Sequence, residues 1–139
     1  MSSSSTVDIP KSLLEDLAKF RMAKRSSGSA AIVIKVDKKK LLMEMEEQFD
    51  DVSLEELEDE LPENTPRYIL LSYQLSHKDG RVSFPLVLLF WCPETSSVEM
   101  STLYASALSS LSVQSDVGKV VEFREGKVER KVLEQRLGA

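Results

Sequence analysis

Apolar residues early in the chain recur at the spacing of an α-helix. Leu13, Leu17 and Phe20 stand at i, i+4 and i+7, so they share one face that can pack on a core. Asp8 stands before this run as a candidate N-cap, and Pro10 is tolerated in a first helical turn, where amide hydrogens have no partner within the helix. The pattern predicts a first helix that begins behind Asp8.

The following segments change to the patterns of β-strands. Residues 30–37 alternate between two faces, and after a lysine turn at 38–40 the run 41–46 is apolar on one face and increasingly acidic on the other. This second strand is expected at a sheet edge, because one of its faces is charged. Residues 68–76 and 82–92 predict a hairpin around the turn signal Asp79-Gly80. Its second strand is apolar on both faces, which predicts a central strand with helices on both sides.

Three further helices have recognisable starts or ends. Ser53 and Glu56 form an S-x-x-E capping box that opens a short helix, and Pro62 stops it. Ser96 or Ser97 can cap a long helix with a serine-rich outer side, and its apolar stripe comprises Met100, Leu103, Tyr104, Ala107 and Leu111. A short strand at 119–124 and a last helix with Gly138 as its C-cap complete the chain.

This order of elements predicts the fold class. Helix, two strands, helix, two strands, helix, strand and helix give an α+β sandwich, with a five-stranded mixed sheet flanked by four helices. The 139 residues favour a single domain over residues 8–139, preceded by a small, polar and flexible N-terminus at 1–7. We expect a monomer.

Charge and composition exclude several classes of function. The net charge is −5, and every charged residue between Lys40 and Arg67 is acidic, which argues against binding to nucleic acid. No apolar stretch approaches the ~20 residues of a membrane helix, and the first ten residues lack the features of a signal peptide. With Cys92 as its one cysteine the chain cannot form an internal disulfide, which is typical of a reducing compartment.

Candidate catalytic chemistry is sparse. His77 lies beside the hairpin turn, and no nucleophile with an orienting group converges on it in the sequence, so a surface-turn histidine is the favoured interpretation. Cys92 ends a buried strand and is expected to be a packed, inert thiol. The acidic run contains no calcium-binding loop pattern, and the scattered glycines form no phosphate-binding loop. The sequence therefore predicts a protein that is not an enzyme and has no metal or cofactor.

Several short motifs occur in order along almost the whole chain. They are KFR at 19–21, DELPE at 59–63, PRYI at 66–69, DGRVS at 79–83, and LYA at 103–105 in the long helix. Together they resemble the glia maturation factors, which belong to the actin-depolymerising-factor (ADF) homology fold. The helix and strand order of that fold agrees with the order predicted above.

The resemblance implies a function that composition does not reveal. Glia maturation factors bind the actin-related protein 2/3 complex, inhibit branch nucleation and take branches apart, with the adjoining actin subunit at a branch as a further partner. A first partner-binding surface would comprise Lys19, Arg21, Met100, Ser101, Leu103, Tyr104, Ser106 and Ala107. A second would comprise His77, Lys78, Asp79, Arg81, Arg124, Glu125, Glu129 and Arg130. The implied location is the cytoplasm at the cortical actin cytoskeleton, with the nucleus as a further compartment.

The alternative is a cofilin-like protein that binds and severs actin itself. Cofilins carry basic residues five and three positions before the helix tyrosine and a lysine four after it, where this chain has Glu99, Ser101 and Leu108. An acidic residue in an interface built for cations repels an acidic partner, which weighs against this alternative. Within the glia maturation factors, one further basic position after Arg21 is Ala23 here, beside Lys24.

Overall fold

A computed structural model describes residues 7–24, 28–124 and 127–138 of the chain. Its helices are α1 (Lys11–Met22), α2 (Leu54–Asp59), α3 (Val98–Gln114) and α4 (Arg130–Arg136). Its strands are β1 (Ser29–Asp37), β2 (Leu42–Val52), β3 (Arg67–Ser72), β4 (Leu75–Ser76), β5 (Val82–Ser83), β6 (Leu86–Trp91) and β7 (Val120–Phe123). The predicted order of elements is confirmed, except that four strands and not two lie between α2 and α3.

The main sheet has five strands in the order β2-β1-β3-β6-β7. The first three pairings are antiparallel, and β6 pairs with β7 in parallel, so the sheet is mixed as predicted. β2 lies at an edge, in agreement with its one charged face, and β6 lies inside the sheet between β3 and β7.

Two hydrophobic layers cover the faces of this sheet. On one face α1 and α3 contribute Leu17 and Leu111 to a core that includes Ile32 and Phe90. On the other face α2 and α4 contribute Leu57 and Leu133 to a second core with the alternate strand residues. Each strand residue faces one layer or the other because side chains alternate along a strand. The sandwich predicted from the sequence is therefore present, with two helices on each side.

The predicted start of the first helix is wrong. Pro10 occupies the N-cap position of α1 without a side-chain hydrogen bond, and Asp8 is not the cap. Instead the backbone of Asp8 bridges to the edge strand β2, where its amide donates to Leu41 and its carbonyl accepts from Met43, both at 2.9 Å. Val7, at the end of the segment predicted to be flexible, is buried, whereas residues 1–6 lie outside the described residues.

The predicted hairpin is interrupted on both of its arms. β3 pairs with β6, but the chain leaves the main sheet beyond Ser72, and β4 and β5 form a separate two-stranded sheet. Pro85 stands at the break between β5 and β6, and its carbonyl accepts from the amide of Tyr73 at 3.1 Å. Proline cannot donate to a strand ladder, which explains the break at this place. The small sheet carries the turn with His77 away from the main sheet.

The caps at the starts of α2 and α3 and behind the end of α4 follow the sequence closely. Ser53 and Glu56 form the predicted capping box at the start of α2, and Ser97 accepts from the amide of Met100 at the start of α3. Gly138 follows the C-cap of α4 with a φ of +93°, the left-handed conformation that favours glycine behind a helix. No helix in the described part of the chain has the length and apolarity to span a membrane.

Candidate functional site

The first predicted surface lies where the end of α1 meets α3 on one side of the sheet. Lys19 and Ser106 are exposed, and both are available to a partner. Four residues of the set are partly exposed, namely Arg21, Met100, Ser101 and Leu103. The guanidinium of Arg21 lies 3.7 Å from the carboxylate of Asp116, which follows α3, so this ion pair links the two helices.

Tyr104 and Ala107 do not belong to an accessible surface. Tyr104 is 0% exposed and Ala107 is 1% exposed, because the apolar stripe of α3 faces the sheet. The Tyr104 hydroxyl accepts a 2.8 Å hydrogen bond from the amide of Val36, and Tyr68 donates to the Tyr104 carbonyl at 2.6 Å. Burial raises the pKa of Tyr104, so its hydroxyl stays neutral. Both residues are therefore corrected from partner contacts to core residues.

The outward side of α3 carries very little charge. Glu99 is the one charged residue within the helix, and Lys38 of the β1–β2 turn forms an ion pair with it. Val98 and Val113, at the two ends of the helix, are 83% and 78% exposed. The helix thus presents small polar and apolar side chains without a basic residue of its own.

The second predicted surface is divided between two grooves. One groove of about 670 Å³ lies between the β4–β5 turn and α4, and it contains all four predicted turn residues, namely His77, Lys78, Asp79 and Arg81. α4 contributes Lys131, Glu134 and Gln135 to the same groove. All three were missed by the sequence analysis, although the spacing of four between Lys131 and Gln135 puts these two on one helix face.

The turn residues are held by their own hydrogen bonds. The side chain of Asp79 accepts from the amide of Arg81 at 3.1 Å and from its guanidinium at 2.7 Å. These bonds keep the pKa of Asp79 below its ordinary value, and the bond from the Arg81 backbone amide has the largest effect. The groove therefore offers a carboxylate and cations at neutral pH, a rim suited to a partner of mixed charge.

The other residues of the second set lie elsewhere. Arg124 and Glu129 line a separate groove of about 380 Å³ together with Lys127 and Val132. Arg130 lines neither groove, since its guanidinium is directed to Glu55 and Tyr73. Glu125 lies outside the described residues.

Among the described residues, His77 and Cys92 each have a serine hydroxyl as a side-chain neighbour. His77 Nε2 lies 2.8 Å from the Ser83 hydroxyl, but within the described ranges no carboxylate hydrogen-bonds its other ring nitrogen. Such an orienting group is what a serine–histidine pair needs for nucleophilic catalysis. Cys92 is 4% exposed, with its sulfur 3.6 Å from the Ser101 hydroxyl. The described residues also contain no cluster of three or more side chains that could hold a metal ion.

Comparison with known proteins agrees with this architecture. Residues 6–134 match the family described as cofilin/tropomyosin-type actin-binding proteins. The crystal structure of a cofilin from Streptomyces griseoflavus superposes with a TM-score of 0.72 over 94% of this chain and 93% of that chain, at 18% identity. The fold is thus the ADF-homology fold predicted from the sequence.

More similar relatives narrow the assignment. The glia maturation factor of Drosophila melanogaster is 39% identical over 125 residues, covering 90% of each chain. Human glia maturation factor beta is 41% identical over 117 residues, covering 84% of this chain and 82% of the relative. The solution structure of the Caenorhabditis elegans glia maturation factor matches with a TM-score of 0.79 and 37% identity over 97% of this chain and 99% of that chain. The chain therefore belongs to the cofilin/tropomyosin-type actin-binding family and, within it, to the glia maturation factors, a group that acts in actin regulation.

Proposed function

We propose that this protein binds the actin-related protein 2/3 complex, inhibits branched actin nucleation and promotes the debranching of actin filaments. Membership of the glia maturation factors supports this proposal, because that group resembles this chain over most of its length. The protein acts as a binding partner without turnover, as expected of a member of an actin-regulatory group. Its place of action is the cytoplasmic, cortical actin cytoskeleton, and it acts as a monomer.

The observation that carries this proposal is the charge on the exposed side of α3. In an actin-binding relative of the cofilin type this side supplies cations to an acidic partner, whereas here Glu99 is its one charge. Lys38 pairs with Glu99 and neutralises it without adding a free cation to the helix. A partner surface that is less acidic than conventional actin fits such a helix better, because charge complementarity selects between related partners.

The groove between the β4–β5 turn and α4 gives the protein a second site of contact. In the proposed complex α3 and Lys19 bind one actin-related subunit, and the groove receives the adjoining actin subunit of the branch. Two separate sites on one protein can engage both subunits together only when the subunits stand in a particular relative arrangement. Binding at both sites therefore favours one state of the branch junction.

The decisive experiment compares branched and unbranched filaments. We expect the purified protein to lower the number of branches on networks built with the branching complex, while bare filaments at the same protein concentration keep their length. Severing of the bare filaments would support the alternative, a cofilin-like protein, which the actin-binding description of the family favours. If neither the number of branches nor the length of bare filaments falls, the proposed function and the cofilin-like alternative are both contradicted.

A pair of variants on α1 tests the first surface. Lys19 is exposed near the end of α1, and Lys11 is exposed at its start, about 12 Å away at the rise of a helix. We expect Lys19→Ala to weaken binding to the complex about threefold to tenfold, while Lys11→Ala binds as the unaltered protein does. Equal dissociation constants for the two variants would remove Lys19 from the site.

A further inference from the structure

Arg130 joins α4 to α2 on the face of the sheet that these two helices cover. Its guanidinium nitrogen donates to both carboxylate oxygens of Glu55, at 2.9 Å and 2.7 Å. The two residues are 75 positions apart in the sequence, so the contact exists only in the folded chain. One guanidinium nitrogen of Arg130 thus binds the Glu55 carboxylate while the other donates to the Tyr73 hydroxyl, so two neighbours hold the same guanidinium.

Tyr73 extends this contact to the next turn of α4. Arg130 donates to the Tyr73 hydroxyl at 3.1 Å, and that hydroxyl donates to the carboxylate of Glu134 at 2.5 Å. Burial is the main cause that raises the pKa of Tyr73 to about 12, and the hydrogen bond to Glu134 is the second. The hydroxyl therefore keeps its proton at neutral pH. Tyr73 therefore anchors two residues of the helix, one turn apart.

A second contact from α2 holds the segment before the helix. Glu58 accepts a 2.7 Å hydrogen bond from the amide of Val128, which is itself buried. The start of α4 has no side-chain cap of its own, since Glu129 makes no capping bond. A seven-residue helix has little stability of its own, so its direction depends on such outside contacts.

These contacts bear on the groove between α4 and the β4–β5 turn. Glu134, held by Tyr73, lines the groove, and Lys131 lies next to Arg130 on the same helix. Arg130 itself lines neither groove. Leu133 is the residue of α4 that is buried against the body of the protein, while Glu134, one turn beyond Arg130, lines the groove beside Lys131 and Gln135.

We propose that Glu55 and Arg130 are positioning residues of the second partner-binding surface: the acidic side of α2 sets the direction of α4 and so the shape of the groove that receives a partner. This inference rests on the proposed function for its effect on binding. It replaces the prediction that Arg130 contacts the partner directly. The pair is exposed, and exposed pairs contribute little to global stability, so its effect lies in the geometry of α4.

A charge exchange separates positioning from direct contact. We expect Glu55→Arg to weaken binding to the branching complex about threefold to tenfold, because two arginines then repel each other. The double variant Glu55→Arg with Arg130→Glu restores binding to within about twofold, since an ion pair forms again. A direct partner contact by Arg130 predicts the opposite, namely normal binding by Glu55→Arg and no rescue in the double variant.

Hydrogen exchange gives a readout that needs no partner. The amides of residues 130–136 should exchange faster in Glu55→Arg and return to the original rate in the double variant. Glu60→Arg is the matched control, because it makes the same charge change just behind α2 and the Glu60 side chain has no partner among the described residues. Unchanged exchange in Glu55→Arg would overturn the positioning role whether or not the protein binds the complex. Failure of the unaltered protein to bind would contradict the proposed function alone.

Discussion

The hydroxyl of Tyr104 on α3 accepts a 2.8 Å hydrogen bond from the backbone amide of Val36 on β1, 68 residues away in the sequence. The pairing of β1 with β3 ends at Ile34 and Tyr68. The Tyr104 side chain thus supplies an acceptor at the place where the neighbouring strand no longer runs alongside. This bond joins the helix of the first surface to the sheet, and it explains why a tyrosine stands in an otherwise apolar stripe.

Removal of that hydroxyl should destabilise the protein. Tyr104→Phe keeps the ring but leaves the buried amide of Val36 without its partner, so we expect a loss of about 1–3 kcal/mol in the free energy of unfolding. Urea denaturation followed by circular dichroism measures this loss. Ser109→Ala, an exposed change on the same helix, is the control and should stay within about 0.5 kcal/mol of the original protein. Equal denaturation midpoints for the two variants would contradict the role of the bond.

Gly28 is required at the start of β1. Its φ is +77°, and a Cβ there would collide with the Asp51 carboxylate and lie 3.3 Å from the Asp51 Cα. We expect Gly28→Ala to lower the free energy of unfolding by more than about 1 kcal/mol, because strain and collision act together. Gly118→Ala is the matched control, since a Cβ at Gly118 meets nothing within 4 Å. Thermal unfolding of the two variants compares them, and a smaller loss for Gly28→Ala than for Gly118→Ala would be inconsistent with this account.

The ion pair between Glu46 and Arg67 should make stability depend on acidity. Arg67 donates to the two Glu46 oxygens at 2.9 Å and 3.2 Å, and these bonds keep the pKa of Glu46 below its ordinary value of 4.5. A carboxyl with a lowered folded-state pKa stabilises the fold above its unfolded-state pKa, and this contribution is lost as the pH falls through the folded-state value.

The urea midpoint should therefore fall more steeply between about pH 5 and pH 3 in the original protein than in Glu46→Gln. Glu47→Gln, at the exposed neighbouring position, should retain the original pH dependence. The same slope in all three proteins would show that the Glu46 pair does not contribute.

Glu99 should influence the choice of partner. Glu99→Lys places a cation at the exposed start of α3 and turns the ion pair with Lys38 into a repulsion. We expect stronger co-sedimentation with bare actin filaments, and a loss of about 0.3–1 kcal/mol in stability because a cation is unfavourable at a helix N-terminus. Glu94→Lys makes the same charge change at an exposed site before the helix and should not increase co-sedimentation. Co-sedimentation of Glu99→Lys at the level of the unaltered protein would show that charge at this site does not set the preference.

Local patterns in the sequence were sufficient to predict the type and order of the elements. The capping box of Ser53 and Glu56 and the terminal Gly138 were confirmed because caps depend on neighbours within a few residues. The edge position of β2 was confirmed because one charged face cannot be buried. The break of the hairpin was not predicted, although Pro85 inside a presumed strand was a signal for it.

The candidate surfaces were predictable only in part. The apolar stripe predicted for α3 is present in the structure. Tyr104 and Ala107, however, were predicted to contact the partner, and they are buried on the side of α3 that faces the sheet. For the second set, the turn residues were brought together with α4, whereas Arg124 and Glu129 line a different groove. A family resemblance names positions along the chain, and it does not state which way each side chain points.

The sequence by itself determined the helices, the strands and the uncharged character of α3, because these depend on periodicity and composition over short stretches. Only the tertiary structure decided that Tyr104 bonds to Val36, that Arg130 bonds to Glu55, and which face of α4 borders the groove. Such contacts join residues 68 and 75 positions apart. They arise from the way the helices pack on the sheet, which no local pattern of residues specifies.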